Sequence, residues 1–402
     1  MRIKVFKFGG TSLGNAKMID NAVSASMAEI RKGSKVISVV SAMGKMTDRL
    51  YNIVQEIDKG VTVEDSMEVL GMGEIISGRI FNYLMKQKGI KSKLVEPFAE
   101  DWPIVLDDHS QLDKSKTDRK VKKYFPKIFE RYDSIVVPGF IALQKNRKWG
   151  TLGRGGSDTT AFILGRYIGA EEVIIVTDVD GVYSADPSVY GDAKHINYID
   201  ADDLSTMSSF GSQVIHSDAL SFKGSEQKAR IIHHSFGNLA YEGTVIDGTA
   251  TRKLFLLEDR LSLITIYKKD ITGSKKLVKK LSDLIYGLSK VFGVTLGIDY
   301  LGFYIPFDIS KDVVRRLGKI SQERGFNIAE KRDIALLIMR RESPVNLPGM
   351  INYLLTPLAE KKLNIVEVIS IGREILIFVR WGDRENAMKI LKRHNERSKS
   401  SK

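Results

Sequence analysis

The chain has 402 residues, 43% of them hydrophobic and 28% charged, an ordinary balance for a globular protein of two to four domains at roughly 100–200 residues each. It is too rich in apolar residues for a disordered chain, and its longest apolar run, Ile334 to Met339, falls far short of the roughly 18 residues that mark a membrane helix. Cysteine is absent, which removes disulfides, thiolate nucleophiles and cysteine-ligated metal sites, and the net charge of +13, from 62 basic and 49 acidic residues, suits a generally basic surface or anionic ligands such as nucleotide phosphates.

Lys4 and Lys7 interrupt the apolar residues of MRIKVFKFGG. A signal peptide needs a longer continuous core, so a cytoplasmic location is expected. Arg2 to Phe8 reads as a strand feeding a glycine turn. Lys17 to Arg31 has helical spacing through Met18, Ile19, Val23, Met27 and Ile30, and Gly33 is a plausible stop. Lys35 to Ser41 is a buried strand, Ser66 to Lys86 a long helix, and Ser134 to Pro138 and Glu172 to Thr177 are β-branched strands. Strands alternating with helices predict a largely parallel sheet covered on both faces, with ligands beyond the carboxyl ends of its strands.

The pattern changes near Gly243 to Gly248. Lys253 to Leu257, Leu261 to Tyr267, Val294 to Ile298 and Phe303 to Pro306 read as strands, and Lys275 to Leu288 and Lys311 to Arg324 as helices. Then come a strand Ile334 to Met339, a helix Pro348 to Lys361, strands Ile365 to Ile371 and Ile375 to Val379, and a helix Glu385 to Arg393. This makes two βαββαβ units in series, the second one strand short, a gap the strand at 253–257 can fill. The basic end from Lys392 to Lys402 reads as a solvated, frayed tail. No recognised nucleic-acid module appears, and neither nucleic acid nor a membrane is expected as a partner.

Five segments gather small, polar and charged residues where loops are predicted. KFGGTSLG at 7–14 is neither a Walker loop nor a GxGxxG fingerprint. Its physics is still that of a phosphate cradle: Gly9 and Gly10 let backbone N–H groups approach an anion, Thr11 and Ser12 add hydroxyls, the following helix adds its positive end, and Lys7 is a mobile charge beside them. SAMGKMT at 41–47 follows the second strand. GMGE at 71–74 sets two glycines in a helix, each costing roughly 1 kcal/mol, beside Glu74, which suggests close approach of a backbone or a ligand. In TLGRGGSDTTA at 151–161, Arg154 stands among glycines with its fork uncovered, suited to a carboxylate, while Asp158 serves either chemistry or a helix N-cap. TDVDGVYSADP at 177–187 can hold magnesium or a nucleotide, or be a DG turn.

In this order the segments resemble an aspartate kinase of the amino-acid kinase superfamily. The resemblance rests on KFGGTS, VVSAM with Thr47, Gly73–Glu74, VVPGF at 136–140, LGRGGSD at 152–158, TDVDGVYSADP, GSQVIH at 211–216 and GTVI at 243–246. It implies an α/β fold with an amino-acid-kinase-type, mainly parallel sheet over residues 1–250. It also implies C-terminal α+β, ferredoxin-like tandem ACT modules at 251–333 and 334–393, with 253–257 completing the second, and a basic tail at 394–402. VNLPGMINYLLTPLAEKKLNIVEVIS at 345–370 is the best ACT match.

The activity implied is transfer of the γ-phosphate of ATP, with magnesium, to the β-carboxylate of L-aspartate, giving 4-phospho-L-aspartate, the first step toward lysine, threonine and methionine. By resemblance Lys7 balances charge on the γ-phosphate and the attacking carboxylate, Gly9 and Gly10 donate hydrogen bonds to the transferring group, and Asp158 orients Lys7 or the metal-bound phosphates. Arg154 grips the α-carboxylate, Glu74 receives the α-amino group, and Ser41, Thr47 and Ser157 complete the pocket. Thr11, Ser12, Thr177, Asp178, Tyr183, Asp186, Pro187 and Lys194 line the nucleotide site. No metal ligand is assigned.

Two departures stand out. Ser188 occupies the place where the family usually has arginine, and the first ACT-like unit lacks the Pro-Gly turn that the second keeps as Pro348–Gly349. An effector such as lysine or threonine at the ACT modules is therefore open, and a homodimer or larger assembly is expected. The competing readings are another acyl-phosphate-forming enzyme, such as a glutamate kinase, and a non-catalytic amino-acid sensor.

Overall fold

A computed structural model describes residues 1–62, 65–209, 214–236, 241, 243–249, 253–340, 349–371 and 374–400. The chain forms two compact units, Met1–Thr251 and Arg252–Lys402. Among the described residues no helix is long and apolar enough to cross a membrane.

The first unit is built on one sheet of eight strands. In spatial order they are Tyr198–Asp200, Thr244–Asp247, Lys228–His233, Glu172–Thr177, Ile3–Phe8, Lys35–Val40, Ser134–Pro138 and Ser92–Leu94. Every pairing is parallel except that of Lys228–His233 with Thr244–Asp247. Parallel strands buried on both faces need mostly apolar side chains, and KVISVV at 35–40 supplies them: Val36, Ile37, Val39 and Val40 are fully buried. Alternation along Ile3–Phe8 sends Ile3 and Val5 into one core layer, with Ala161, Phe162 and Leu164 of the helix Gly156–Ile168. Phe6 and Phe8 enter the other, with Val23 and Met27 of the helix Ala16–Arg31. Lys7 continues the Ile3–Val5 side, so its side chain lies toward the helix Gly156–Ile168.

Ile3–Phe8 sits mid-sheet, with the second strand on one side and Glu172–Thr177 on the other. The chain passes from it to the second strand on one side, while Glu172–Thr177 on its other side leads on to Lys228–His233, so the strand order reverses here and a ligand crevice is expected at its carboxyl end, where Lys7 and the glycine pair lie.

The second unit is an antiparallel sheet in the order Gly293–Leu296, Tyr300–Pro306, Leu261–Tyr267, Asn327–Arg340, Glu374–Arg380 and Ile365–Ile371, and Lys253–Leu256 pairs with the far end of Asn327–Arg340. The strand expected at Ile334 to Met339 begins seven residues earlier, at Asn327, because NIAEKRD alternates half-buried and exposed positions that composition alone does not mark as β. It serves both halves of the sheet, and it bends where Asp333 takes φ 65° and the register slips against Leu261/Leu263. The bend folds the halves together: Tyr304 stacks on Phe378 at 3.7 Å although their strands are not neighbours, and its hydroxyl donates to Glu367.

The last helix runs Arg384–Ser400. The segment after Lys392 read as a frayed tail is thus helical, consistent with its helix-tolerant Lys, Arg and Glu content.

Candidate active site

The carboxyl ends of four neighbouring strands are tied to one another by backbone hydrogen bonds. Gly9 N–H donates to Val176 O at 3.0 Å, Ser41 N–H to Phe8 O at 3.1 Å, Gly44 N–H to Gly10 O at 2.9 Å and Gly139 N–H to Val40 O at 2.8 Å. Glycine is required at this seam. A Cβ on Gly10 would stand 2.8 Å from Gly44 O and 2.9 Å from Ala42 O.

The KFGG segment is followed by a short 3-10 turn, Thr11–Leu13, and only then by the helix Ala16–Arg31, whose N-terminus is capped by the Asn15 side chain accepting from Met18 N–H. The positive helix end expected directly after the glycine pair is therefore displaced and already occupied. Ser12 is buried with its hydroxyl donated to Val176 O at 3.2 Å, so it braces the loop, while Thr11 is exposed.

A different helix reaches Lys7. Gly156–Ile168 begins after Gly155, which supplies no side-chain cap. Asp158 in its first turn is not the N-cap; its carboxylate lies 2.8 Å from Lys7 Nζ, and both side chains are nearly buried. The contact is an ion pair without hydrogen-bond alignment, so Asp158 Oδ1 keeps an open lone pair. Ser157 is buried against Gly139, where a Cβ would come within 2.7 Å of it. Arg154 is exposed on the turn before the helix and makes no ion pair among the described residues. Gly153 and Gly155, flanking it, have φ of +76° and +65°.

Glu74 opens the helix Met72–Gln87 and is buried. Gly73 brings that helix onto Ala42: a Cβ there would lie 2.8 Å from Ala42 Cβ. The Glu74 carboxyl is pushed up to about 7 by burial, against the opposing pull of the backbone N–H groups of Glu74 and Ala42. Its Oε2 has no hydrogen-bond partner among the described residues. A buried carboxyl with one oxygen unspent is a receptor for a cationic donor. Ser41 and Thr47 are half-buried on the loop and helix start next to Ala42.

The acid-rich loop lies at the end of Glu172–Thr177, next to the Lys7 strand. Its acids are partly committed. Asp178 accepts from the Thr177 hydroxyl at 3.1 Å, and Asp180 from the Tyr183 hydroxyl at 2.8 Å, a bond that raises the pKa of Tyr183. Asp186 accepts from both the backbone N–H and the hydroxyl of Ser188, which hold its carboxyl below the usual range. Lys194 is exposed; its backbone pairs with Ser184 at the base of the hairpin Val182–Tyr183/His195–Ile196. Asp186 and Pro187 lie on the exposed excursion of that hairpin. The structure thus brings Lys7, Gly9, Gly10, Ser41, Glu74, Ser157 and Asp158 to linked strand and helix ends, and sets Thr177 beside them.

The amino acid kinase family model matches residues 2–233, which include every residue of this crevice. The chain belongs to the amino acid kinase family. Among its curated relatives, it is 30% identical over 288 residues to Aspartokinase 2 of Bacillus subtilis, covering 66% of this chain and 65% of that one. The chain thus spans just under two thirds of that relative. The aspartate kinase from Synechocystis has a similar fold, with a TM-score of 0.78 at 19% identity over 97% of this chain and 68% of that one. E. coli aspartokinase III in complex with aspartate and ADP aligns with a TM-score of 0.53 at 19% identity, covering 98% and 99%.

Two further residues of the first unit escape a reading of the sequence. His234 Nδ1–H donates to the Thr177 carbonyl, 3.0 Å away, and His216 packs where a Gly155 Cβ would come within 2.2 Å of it. Each steadies a loop of the crevice from a distant segment; only GSQVIH hinted at the second, and its residues 211–213 lie outside the described residues.

Proposed function

We infer that this chain is an aspartate kinase. One observation carries the reading: Lys7 beside the Gly9–Gly10 pair, ion-paired to Asp158, at the same strand ends as the buried, half-satisfied carboxyl of Glu74. Aspartate presents an ammonium, an α-carboxylate and a β-carboxylate. Glu74 takes the ammonium, Arg154 the α-carboxylate, with Ser41, Thr47 and Ser157 around them. The β-carboxylate is ionised near pH 7 and needs no general base. Its oxygen attacks the γ-phosphorus of ATP, the bond from that phosphorus to the β,γ-bridging oxygen breaks, and ADP leaves with 4-phospho-L-aspartate formed. Lys7 and the N–H groups of Gly9 and Gly10 offset the charge of two anions brought together. Thr177, Asp178, Tyr183 and Lys194 border the nucleotide.

Magnesium fits as an ion carried on the phosphates. No cluster of three or more His, Asp or Glu residues among the described residues is arranged to hold one, and Asp180 and Asp186 already accept hydrogen bonds. When bound, the ion would neutralise part of the phosphate charge, and Asp178 and Asp158 are the residues that would hold it.

The second unit is proposed as a pair of ACT-type modules at 251–333 and 334–393, supporting a homodimer or larger assembly and an amino-acid effector. E. coli aspartokinase III has been solved in complex with lysine and aspartate. The Pro348 of the turn relevant to such a site lies outside the described residues, and a cytoplasmic location accompanies the biosynthetic role. The test is an ADP-release assay with L-aspartate, L-glutamate and N-acetyl-L-glutamate. Turnover with aspartate alone supports the reading. Preference for glutamate, or no turnover with binding of amino acids retained, overturns it in favour of a glutamate kinase or a sensor.

A further inference from the structure

His195 stands where the chain re-enters the small hairpin Val182–Tyr183/His195–Ile196 after the exposed excursion 184–194. Both ring nitrogens are engaged. Nε2–H donates to the Asp180 carbonyl at 3.1 Å, and Nδ1 lies 2.9 Å from the side-chain oxygen of Asn197. A carbonyl oxygen only accepts, so Nε2 carries a proton. The ring also meets Tyr183 edge-on, with centroids 5.4 Å apart and planes at 85°. One imidazole thus touches both ends of the turn Asp180–Tyr183, which follows the strand Glu172–Thr177.

The shape of that turn depends on this contact. Gly181 has φ of +147°, and a Cβ there would stand 2.4 Å from His195 Nε2 and 2.4 Å from Thr244 Oγ1. The backbone passes between the two side chains with room for glycine only. Thr244, on a strand of the main sheet, accepts from Val182 N–H at 2.8 Å and donates to Ile196 O at 2.6 Å. Tyr183 has its ring set by His195 and its hydroxyl by Asp180, to which it donates at 2.8 Å. Asp180, Tyr183 and His195 therefore close a ring of contacts in which none turns without the others. A hairpin with two residues per strand is marginal by itself. An apolar plug would pack against Tyr183 as well, but would take this donor from the Asp180 carbonyl.

We propose that His195 is a positioning residue for the nucleotide. It acts through Asp180 and Tyr183, holding their turn in the form that meets ATP, and so sets nucleotide affinity. This rests on the aspartate kinase reading, in which Asp178 and Tyr183 border ATP.

Two variants separate the donor from the ring. His195→Phe keeps an aromatic ring beside Tyr183 and removes the donor. His195→Gln puts an amide N–H near the place of Nε2 and removes the ring. In calorimetry on the full chain, His195→Phe is expected to raise the Kd of ATP with magnesium at least about fivefold, the order expected for one lost hydrogen bond. The Kd of aspartate should stay within about twofold, because Glu74 and Arg154 lie on other segments. His195→Gln is expected to recover most of the ATP affinity even where its melting temperature is no higher than that of His195→Phe. An ATP Kd that His195→Phe leaves unchanged overturns the proposal. So does an equal loss for ATP and aspartate, or a Gln variant as weak as the Phe variant, either of which marks a merely structural residue. If His195→Phe does not fold by circular dichroism, Thr244→Val, which frees the same turn from its other side, is held to the same split between ATP and aspartate. Binding and turnover also keep the two readings apart. A wild type that binds ATP but phosphorylates glutamate sinks the aspartate assignment and leaves the ATP comparison standing, whereas aspartate turnover with an ATP affinity indifferent to His195 sinks this proposal alone.

Discussion

Lys7 and Asp158 meet as an ion pair at 2.8 Å, one from the central strand and the other from the first turn of a helix far along the chain. The pair is nearly buried and poorly aligned for a hydrogen bond, so the ammonium remains available to a phosphoryl oxygen while the carboxylate keeps it aimed. Lys7→Ala is expected to reduce turnover at least about a hundredfold, the usual cost of deleting one preorganised charge from a transition state. Lys7→Arg should not rescue it, because a planar, delocalised guanidinium does not put a compact point charge where the ammonium stood. Near-normal turnover in a folded Lys7→Ala protein would refute the role.

Glu74 links pH to both stability and substrate binding. Its carboxyl is raised from 4.5 to about 7 by burial, so between these values the folded state holds a proton that the unfolded state has lost. Stability therefore falls as pH rises from about 4.5 to about 7 and is level above, by at most about 3 kcal/mol for a shift of this size. Aspartate binding runs the other way. Its ammonium pairs with the ionised carboxylate, so apparent affinity should rise as pH increases from 6 to 8, with proton release on binding. Glu74→Gln is expected to flatten both profiles, raise the melting temperature at pH 8 and weaken aspartate binding. Parallel pH profiles for the variant and the wild type would count against this.

Much of this architecture could be read before any coordinates. The β-branched runs at 35–41, 134–138 and 172–177 declare buried parallel strands, and the alternation Ile3, Val5, Lys7 already places a lysine on a core-facing side. What the sequence conceals has physical causes. Lys228–His233 is a strand with charged ends, held by its neighbours. Asn327–Arg340 begins in a charged stretch whose pairing with Leu261–Tyr267 makes it β. Asp158 could be read equally as an N-cap or as a partner of a distant lysine, because local propensity and long-range electrostatics favour the same residue type. The commitment of Ser12 to Val176, by contrast, depends on an approach between strands that no local pattern encodes.

Arg154 is exposed, flanked by positive-φ glycines and free of ion pairs among the described residues. An uncommitted guanidinium forfeits no internal contact when removed. Arg154→Ala should therefore leave the melting temperature within about 1 °C and raise the aspartate KM at least tenfold, the loss of a bidentate charge-assisted contact, while the KM for ATP changes little. An unchanged aspartate KM would exclude it from the substrate site.

Ser188 binds Asp186 twice, through its hydroxyl and its backbone N–H. Ser188→Arg keeps the backbone bond and exchanges the hydroxyl for a cation on the exposed loop. If the loop borders the nucleotide phosphates, the KM for ATP should fall several-fold, more steeply at low ionic strength, because an exposed charge is screened by salt. A KM for ATP that does not move at any salt concentration would separate this loop from the phosphates.

Gly155 tests how tightly the turn before Asp158 is specified. Its φ of +65° lies in the left-handed region, and a Cβ would stand 2.2 Å from His216 Cβ. Gly155→Ala therefore meets both backbone strain, roughly 1 kcal/mol, and a collision with a residue that heads its own short helix, Ser217–Leu220. Moving the turn would swing Arg154 and withdraw Asp158 from Lys7 together. The expected result is a loss of turnover comparable to Lys7→Ala with secondary structure retained by circular dichroism. Gly153→Ala, whose Cβ would meet nothing within 4 Å, should cost less, since only the strain of its φ remains. Equal effects of the two substitutions would show that strain, and not the contact with His216, sets the turn.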